Sequence, residues 1–304
     1  MNQLAEYKDC SLCPRNCHID RNVMRGYCKC GSNLKIARAA LHYWEEPCIS
    51  GKNGSGTVFF TGCTLKCCFC QNYNISSEGY GEEITVDRLS EIFLELQDRG
   101  ANNINLVTAT QYLPSVVEAL DKVRGKLKIP VVYNCGGYEK KETIKSLDGY
   151  VDIFLPDLKY FDSELSGLYS KAGDYFEVAS EAVKTMIEMT GKPEFDENGI
   201  MKKGVIVRHM ILPGCYRDSI KLLHWMKENL PGDGYLLSLM SQYTPFYKSS
   251  QYPKINRRLT TYEYEKVLDE AIRLDLVNGY MQEKSSAKEE YTPPFDLRGV
   301  KKES

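Results

Sequence analysis

Cys63, Cys67 and Cys70 stand in the order C-x3-C-x2-C within the segment Cys63-Thr-Leu-Lys-Cys67-Cys68-Phe-Cys70. Thiolates are the soft ligands that iron–sulfur clusters need. Intervals this short let one loop wrap three corners of an iron–sulfur cube. The fourth iron is then left without a local ligand, and an iron with an open position can bind and reduce a substrate. A zinc knuckle or a ferredoxin-type loop is the simpler reading. A closed structural zinc site wants four ligands. Cys68 could supply the fourth, although the adjacent Cys67 and Cys68 chelate poorly together.

A second group lies upstream: Cys10-x2-Cys13-x3-Cys17-x10-Cys28, with Cys30 two residues on and Pro14 directly after Cys13. Four thiolates close either a zinc site or a [4Fe-4S] cluster. Free or redox-active thiols are the third reading. Residues 1–35 contain so few apolar side chains that they are expected to need a metal to order. The group then serves as a structural clip, or as an auxiliary cluster that relays electrons or holds substrate. Cys48, Cys135 and Cys215 are single cysteines, a type usually buried and inert. Among them Cys135 stands out, because it ends an expected strand.

The elements that position these groups are legible from periodicity. Residues 1–50 read as irregular. From 55 onward strand and helix signals alternate. Strands are expected at 57–61, 103–108, 129–134, 151–155, 204–212 and 234–240. Helices are expected at 85–99, 113–124, 140–147, 174–190 and 219–229, with Leu89, Ile92, Phe93 and Leu96 spaced for one buried face. A last helix opens at Thr260, where Glu263 completes a capping box. Six strand–helix units in order argue for a parallel sheet. The rival is an open doubly wound sheet, but no Gly-x-Gly-x-x-Gly follows any strand. Residues 191–203 and 283–304 are polar and read as a surface loop and a tail.

Composition narrows the function classes. The chain has 304 residues, enough for one large domain with a small extension. A net charge of −2 gives no basic surface for nucleic acid. The start carries no apolar signal region and no run approaches transmembrane length, so a cytoplasmic protein off the membrane is expected. Seven of the twelve cysteines fall in the two clusters, and ligation explains that better than disulfides.

The segments CSLCPRNCHIDR, WEEPCISG, GSGTVFFTGCTLKCCFCQNYNIS, NINLVTATQYLP, VDIFLPDLKY, VIVRHMILPG and LMSQYTP run from Cys10 to Pro245. Together they resemble the radical S-adenosylmethionine (SAM) superfamily. The branch they look like is the activating-enzyme-like iron–sulfur proteins of the pyruvate formate-lyase activating enzyme group. The resemblance implies an α/β fold, a partial (β/α)6 TIM-like barrel with an N-terminal cysteine-rich extension. It divides the chain into an extension at 1–50, the barrel at 51–280 and a polar tail at 281–304. It implies a [4Fe-4S] cluster on Cys63, Cys67 and Cys70 whose open iron holds SAM. Reductive cleavage of SAM gives a 5′-deoxyadenosyl radical that abstracts hydrogen from an unknown substrate, with a glycyl radical enzyme as one candidate. An electron donor such as flavodoxin or ferredoxin, and a protein substrate, are the implied partners. The alternative is a non-catalytic iron–sulfur electron carrier or cluster donor. In activating enzymes a ferredoxin-like insert, where present, often follows the cluster loop; here the extra cysteines precede the barrel.

Carried over residue by residue, Phe69 matches the aromatic whose backbone lies against the adenine. Thr108 and Thr110 occupy the end of the second expected strand, where relatives carry a Gly-Gly-Glu motif for the methionyl amine. This chain has Val-Thr-Ala-Thr there. Asp157 and Lys159 match an Asp-x-Lys after the fourth strand, and Arg208 an arginine on the fifth. Each also has a plain reading: a strand-terminating turn, a solvated lysine, a structural ion pair. Their convergence at strand ends of one barrel is what favours a site. His209 alternates with Arg208, so it faces the helices as a satisfied structural histidine. Gly54 and Gly56 are expected at a turn, Glu45 and Glu46 as an exposed acidic pair, and Gln242 and Tyr243 at the substrate mouth.

Overall fold

The computed structural model describes residues 6–281 and 293–302. Ten strands appear in order among them: β1 Lys35–His42, β2 Ser55–Phe60, β3 Glu82–Glu83, β4 Ile104–Val107, β5 Val131–Cys135, β6 Ile153–Pro156, β7 Glu194–Phe195, β8 Met201–Met210, β9 Leu236–Met240 and β10 Gly279–Met281. Neighbouring strands run β10-β9-β8-β6-β5-β4-β2-β1-β3, with β7 paired only to β8. From β2 through β10 along that order every pairing is parallel. Helices fill the crossovers, from Val86–Asp98 between β2 and β4 to Thr261–Arg273 between β9 and β10. The two ends of the sheet do not pair with each other among the described residues, so the barrel is partial.

Register explains the two faces. Val58, Leu106, Tyr133, Phe154 and Val205 lie side by side across five strands. All are buried in the main apolar core with the helices. One residue along, the side chains turn into the lumen. There Val132, Ile153, Leu155, Ile206 and Leu236 meet Cys48 and Ile49 in a separate apolar cluster. Cys48 and Ile49 come from the short helix Pro47–Ser50, so the stretch between β1 and β2 folds into the barrel and plugs its floor.

Three stretches differ from the sequence expectation, the first being residues 191–203, expected as a surface loop, which hold β7 and the antiparallel start of β8. Residues 35–42, expected to be irregular, form β1, antiparallel to β2 with Ala39 opposite Val58. The described part of the tail, 293–302, packs on β1. Asp296 pairs with Arg38 at 2.5 Å, Phe295 sets its ring edge-on to Phe59, and Val300 is fully buried. Residues 282–292 and 303–304 of the expected tail lie outside the described residues.

The capping box is present as expected: Glu263 N–H donates to Thr260 Oγ1, and Glu263 Oε2 accepts from Thr260 N–H. Arg257 also grips Glu263 and holds its carboxyl down to about 2. A depressed carboxylate stabilises the fold above its unfolded pKa, and that contribution is lost as pH falls toward 2. Glu263→Gln is therefore expected to cost about 1–2 kcal/mol at pH 7 and much less near pH 2. Denaturant unfolding of both proteins at the two pH values measures it.

Candidate cofactor cavity at the strand ends

A cavity of about 610 Å³ opens at the C-terminal ends of the strands. Its wall takes Phe59 from β2, Val107 from β4 and Thr108 just past it, Asn134 and Cys135 from β5, Asp157 from the end of β6, Arg208 and Met210 from β8, and Ser238 and Met240 from β9. Cys63, Cys67, Phe69 and Cys70 close one side, on the loop that follows β2. The ends of six strands and the loop after β2 thus meet in one space.

The loop is pinned from below. Lys66 N–H donates to Ser170 O, Cys68 N–H to Tyr169 O, and Lys248 N–H to Cys68 O. Gly62 turns the chain into the loop at φ 90°, and a Cβ there would collide with Cys30 Sγ. Each of the three sulfurs has a hydrogen-bond partner. Leu65 N–H donates to Cys63 Sγ at 3.4 Å and Ser170 Oγ to Cys67 Sγ at 3.0 Å, while Cys70 Sγ and Ser76 Oγ are 3.3 Å apart. Burial pushes the Cys63 thiol up to about 12 and Cys70 to about 11. Buried thiols of this kind stay protonated unless a metal takes the proton's place. Cys68 does not line the cavity; it is buried beside Tyr169 and Tyr243. A four-thiolate zinc knuckle within this loop therefore lacks its fourth sulfur.

Opposite the cysteines sits a charged network. Arg208 donates to Asp157 Oδ1 at 2.9 Å, to Asn134 Oδ1 at 2.6 Å and to Glu45 Oε2 at 3.4 Å. Lys159 Nζ donates to Asp157 Oδ2. Burial alone would raise Asp157; the two cations override it and hold the carboxyl below its usual range. Burial alone would likewise lower Lys159, but Asp157 keeps the ammonium protonated. Glu45 and Glu46, expected to be exposed, line this cavity, and Glu45 is only 10 % exposed. Burial raises both, against the pull of Arg208.

Thr108 lines the cavity in the left-handed region at φ 58°, uncommon for a β-branched residue. Its backbone is held there by N–H donation to Asn134 O and by Gln111 Nε2 donating to its carbonyl. Thr110 is not in the cavity. Its hydroxyl lies in the core between Tyr133 and Glu139, at 2.9 and 2.8 Å. Phe69 lines the wall and packs edge-on against Tyr243. Gln242 lines the mouth, whereas Tyr243 is buried with its hydroxyl on Ile255 O. His209 faces outward as expected, bonded to Leu158 O and Ser219 Oγ.

Residues 57–229 match the family model of the radical SAM superfamily. This chain belongs to the radical SAM superfamily. An uncharacterized protein of Methanocaldococcus jannaschii is 31% identical over 285 residues, 89% of this chain and 77% of the relative. Among solved structures, SuiB of Streptococcus suis, crystallised with SAM, overlays with a TM-score of 0.51 at 17% identity, over 73% of this chain. This chain spans about half the length of that one (48%).

Membership in the radical SAM superfamily implies a [4Fe-4S] cluster and SAM. The donor set fits: three sulfurs on one short loop, each with a hydrogen bond of the kind that tunes cluster thiolates. Ser76 and Ser170 were not found by sequence reasoning. Neither has a periodic or spacing signal, and Ser170 reaches Cys67 only because the helix Ser163–Ser170 packs under the loop.

The upstream cysteines dock against the same radical SAM barrel. Tyr27 N–H donates to Cys17 Sγ at 3.4 Å, and Arg21 Nη1 lies 3.9 Å from Cys10 Sγ. Cys10 and Cys28 are buried; Cys13 and Cys17 are half-buried. Among the described residues no three Cys, His, Asp or Glu side chains are grouped tightly enough to hold a single metal ion. Cys30 lies against Cys28, whose carbonyl its thiol reaches at 3.4 Å, and it also donates to Thr61 O at 3.3 Å just before the cluster loop. The extension is tied down by Arg15 Nε on Thr64 O, Thr143 Oγ1 on Leu12 O and Tyr7 on Ser115. No helix among the described residues is long and apolar enough to cross a membrane.

Proposed function

We propose that this chain is an activating-enzyme-like radical SAM enzyme in which Cys63, Cys67 and Cys70 hold the [4Fe-4S] cluster. The observation that carries the reading is the meeting of these three hydrogen-bonded sulfurs with Asp157, Lys159 and Arg208 in one cavity. When bound, the cluster and SAM supply a 5′-deoxyadenosyl radical for hydrogen abstraction from a substrate, with a glycyl radical enzyme one candidate. The chain's own task is to bind and orient. Lys159 and Arg208 place positive charge where the methionyl carboxylate must lie, and Asp157 offers an acceptor for a ribose hydroxyl. The backbone of Phe69 would hold the adenine, and the left-handed backbone of Thr108 would hold the methionyl amine. Thr110 supports that turn from the core rather than touching the cofactor. An electron-transfer protein such as a flavodoxin or ferredoxin would supply the electron.

The test is anaerobic reconstitution, reduction with dithionite and addition of SAM. Formation of 5′-deoxyadenosine is the expected result, and a fully loaded protein that forms none overturns the reading. The Val-Thr-Ala-Thr in place of Gly-Gly-Glu favours a second reading, a non-catalytic iron–sulfur carrier or cluster donor. That reading fails if SAM changes the electron paramagnetic resonance signal of the reduced cluster.

Cys10, Cys13, Cys17 and Cys28 are proposed to hold one further metal centre, with Cys30 outside it. Elemental analysis separates the forms. About eight irons per chain mark two clusters, and about four irons with one zinc mark a zinc clip. About four irons, no zinc and ready alkylation of these cysteines in the native protein mean that no metal sits there.

A further inference from the structure

The wall of the cavity away from the cysteine loop holds more carboxyl groups than cations. Its carboxyl groups are Glu45, Glu46 and Asp157 against the cations Lys159 and Arg208, three to two, and burial raises both glutamates. His42, which also lines it, is pushed down to about 4 by burial and is neutral. Arg208 is committed to Asp157 and Glu45, and Lys159 to Asp157. Glu46 feels Arg208 through space but makes no direct ion pair among the described residues.

The polar atoms around it are also incomplete. Glu46 Oε2 is buried and meets no hydrogen-bond partner. Ser238, next to it on β9, is 1 % exposed, lines the cavity, and its Oγ has no partner at bonding geometry. Asn105, fully buried on β4 and outside the cavity lining, acts on Glu45 rather than on this corner. Folded proteins leave few buried polar groups unpaired, because each forfeits its hydration without replacement. Here Glu46 Oε2 and Ser238 Oγ face one space, near enough to act on one another but not at bonding geometry, and the backbone holds them still. Glu46 directly precedes the helix Pro47–Ser50, whose Cys48 and Ile49 are locked in the lumen floor. The corner is not part of the cysteine side of the cavity. In the sheet, β9 is separated from β2 by β4, β5, β6 and β8.

A group that completes this corner must bring positive charge and several N–H donors. An alkylammonium has three donors and no acceptor; a guanidinium has five. We propose that Glu46 and Ser238 form the subsite for an ammonium or guanidinium group of the substrate. The substrate class is then a molecule or peptide side chain that carries such a cation into the cavity. This rests on reading the cavity as the radical SAM site. Charge-assisted hydrogen bonds to a buried carboxylate are the strong kind, so Glu46 should carry most of the recognition.

The test uses the reconstituted protein with its metal in place and three small probes: n-butylammonium, ethylguanidinium and the neutral n-butanol. Binding is read by calorimetric titration on the parent, Glu46→Gln and Ser238→Ala. The expected result is that at least one cation binds and n-butanol does not. Which cation binds tells an ammonium from a guanidinium substrate. Glu46→Gln should weaken the cation at least about tenfold and Ser238→Ala a few-fold, while SAM binds Glu46→Gln within about twofold of the parent. Cations that bind no better than n-butanol, or that bind Glu46→Gln as well as the parent, overturn the proposal. So does a Glu46→Gln variant that loses SAM and keeps the cation, because the corner would then belong to the cofactor. Should Glu46→Gln fail to fold, the contrast between cations and n-butanol on the parent still decides. SAM cleavage is scored separately. A protein that cleaves SAM but binds no cation refutes only this subsite, and one that binds cations but cleaves nothing refutes only the radical reading.

Discussion

Alanine at Cys63, Cys67 or Cys70 is expected to abolish cluster binding and 5′-deoxyadenosine formation together. With one of three ligands gone, a cube already open at one corner is held by two, and the loop has no spare thiol to take over. Cys68 cannot rotate in, because its backbone is fixed by bonds to Tyr169 and Lys248 and its side chain is packed in the core. Cys68→Ala is accordingly the matched control. It should retain iron and activity and lose only packing, about 1 kcal/mol of stability. Ser170→Ala is the graded case. It removes the donor to Cys67 Sγ, so iron should stay while the cluster's reduction potential moves. Iron content, the visible absorption of thiolate-bound iron and product formation read the cysteine variants, and a redox titration of the cluster reads Ser170→Ala. A Cys63 variant with full iron and parental activity would remove that residue from the ligand set.

Arg208→Ala is expected to act on stability and on SAM binding at once, and Lys159→Ala on binding alone. Arg208 joins Asp157, Glu45 and Asn134 in a nearly closed site, with Glu46 close by. Removing it leaves two or three carboxylates facing one another with a single cation left. Loss of one partner from a buried pair costs about 3 kcal/mol or more. Denaturant unfolding should show that loss. Because Asp157 is held below its usual range, its share of stability is present above about pH 4 and fades as pH falls. The acid limb of the parent's stability profile should therefore flatten in Arg208→Ala. Lys159→Ala leaves the Asp157–Arg208 pair intact, so the fold should hold. SAM affinity should fall about ten- to a hundredfold, the worth of one charge-assisted hydrogen bond. Lys184→Ala, on an outer helix beside Glu181 and Trp225, should change neither quantity. Unchanged SAM affinity in Lys159→Ala would move the cofactor's polar end elsewhere in the cavity.

Much of this was legible in the linear sequence because it is written in local periodicity. Alternating strand and helix signals from 55 onward predict the parallel order of β2, β4, β5, β6, β8 and β9. Strand parity places Arg208 inward and His209 outward, and Thr260 with Glu263 marks a helix start to the residue. The cysteine spacing names its chemistry before any fold is known, since chelation by one loop is a property of neighbours in the chain. Tertiary structure alone decided what depends on distant partners. β1 carries no alternating pattern because it is covered on both faces, by the sheet's own packing and by residues 293–302. Glu45 and Glu46 read as surface acids because acids usually are. Only the apolar anchor of Cys48 and Ile49 in the lumen carries them into a buried site beside Arg208. Thr110 sits one short turn past β4, and that turn sends its hydroxyl to Glu139 in the core while Thr108 keeps its place in the cavity. The residues that could do chemistry are set by type and spacing, whereas which of them share a space is set by long-range packing, which leaves no local trace in the chain.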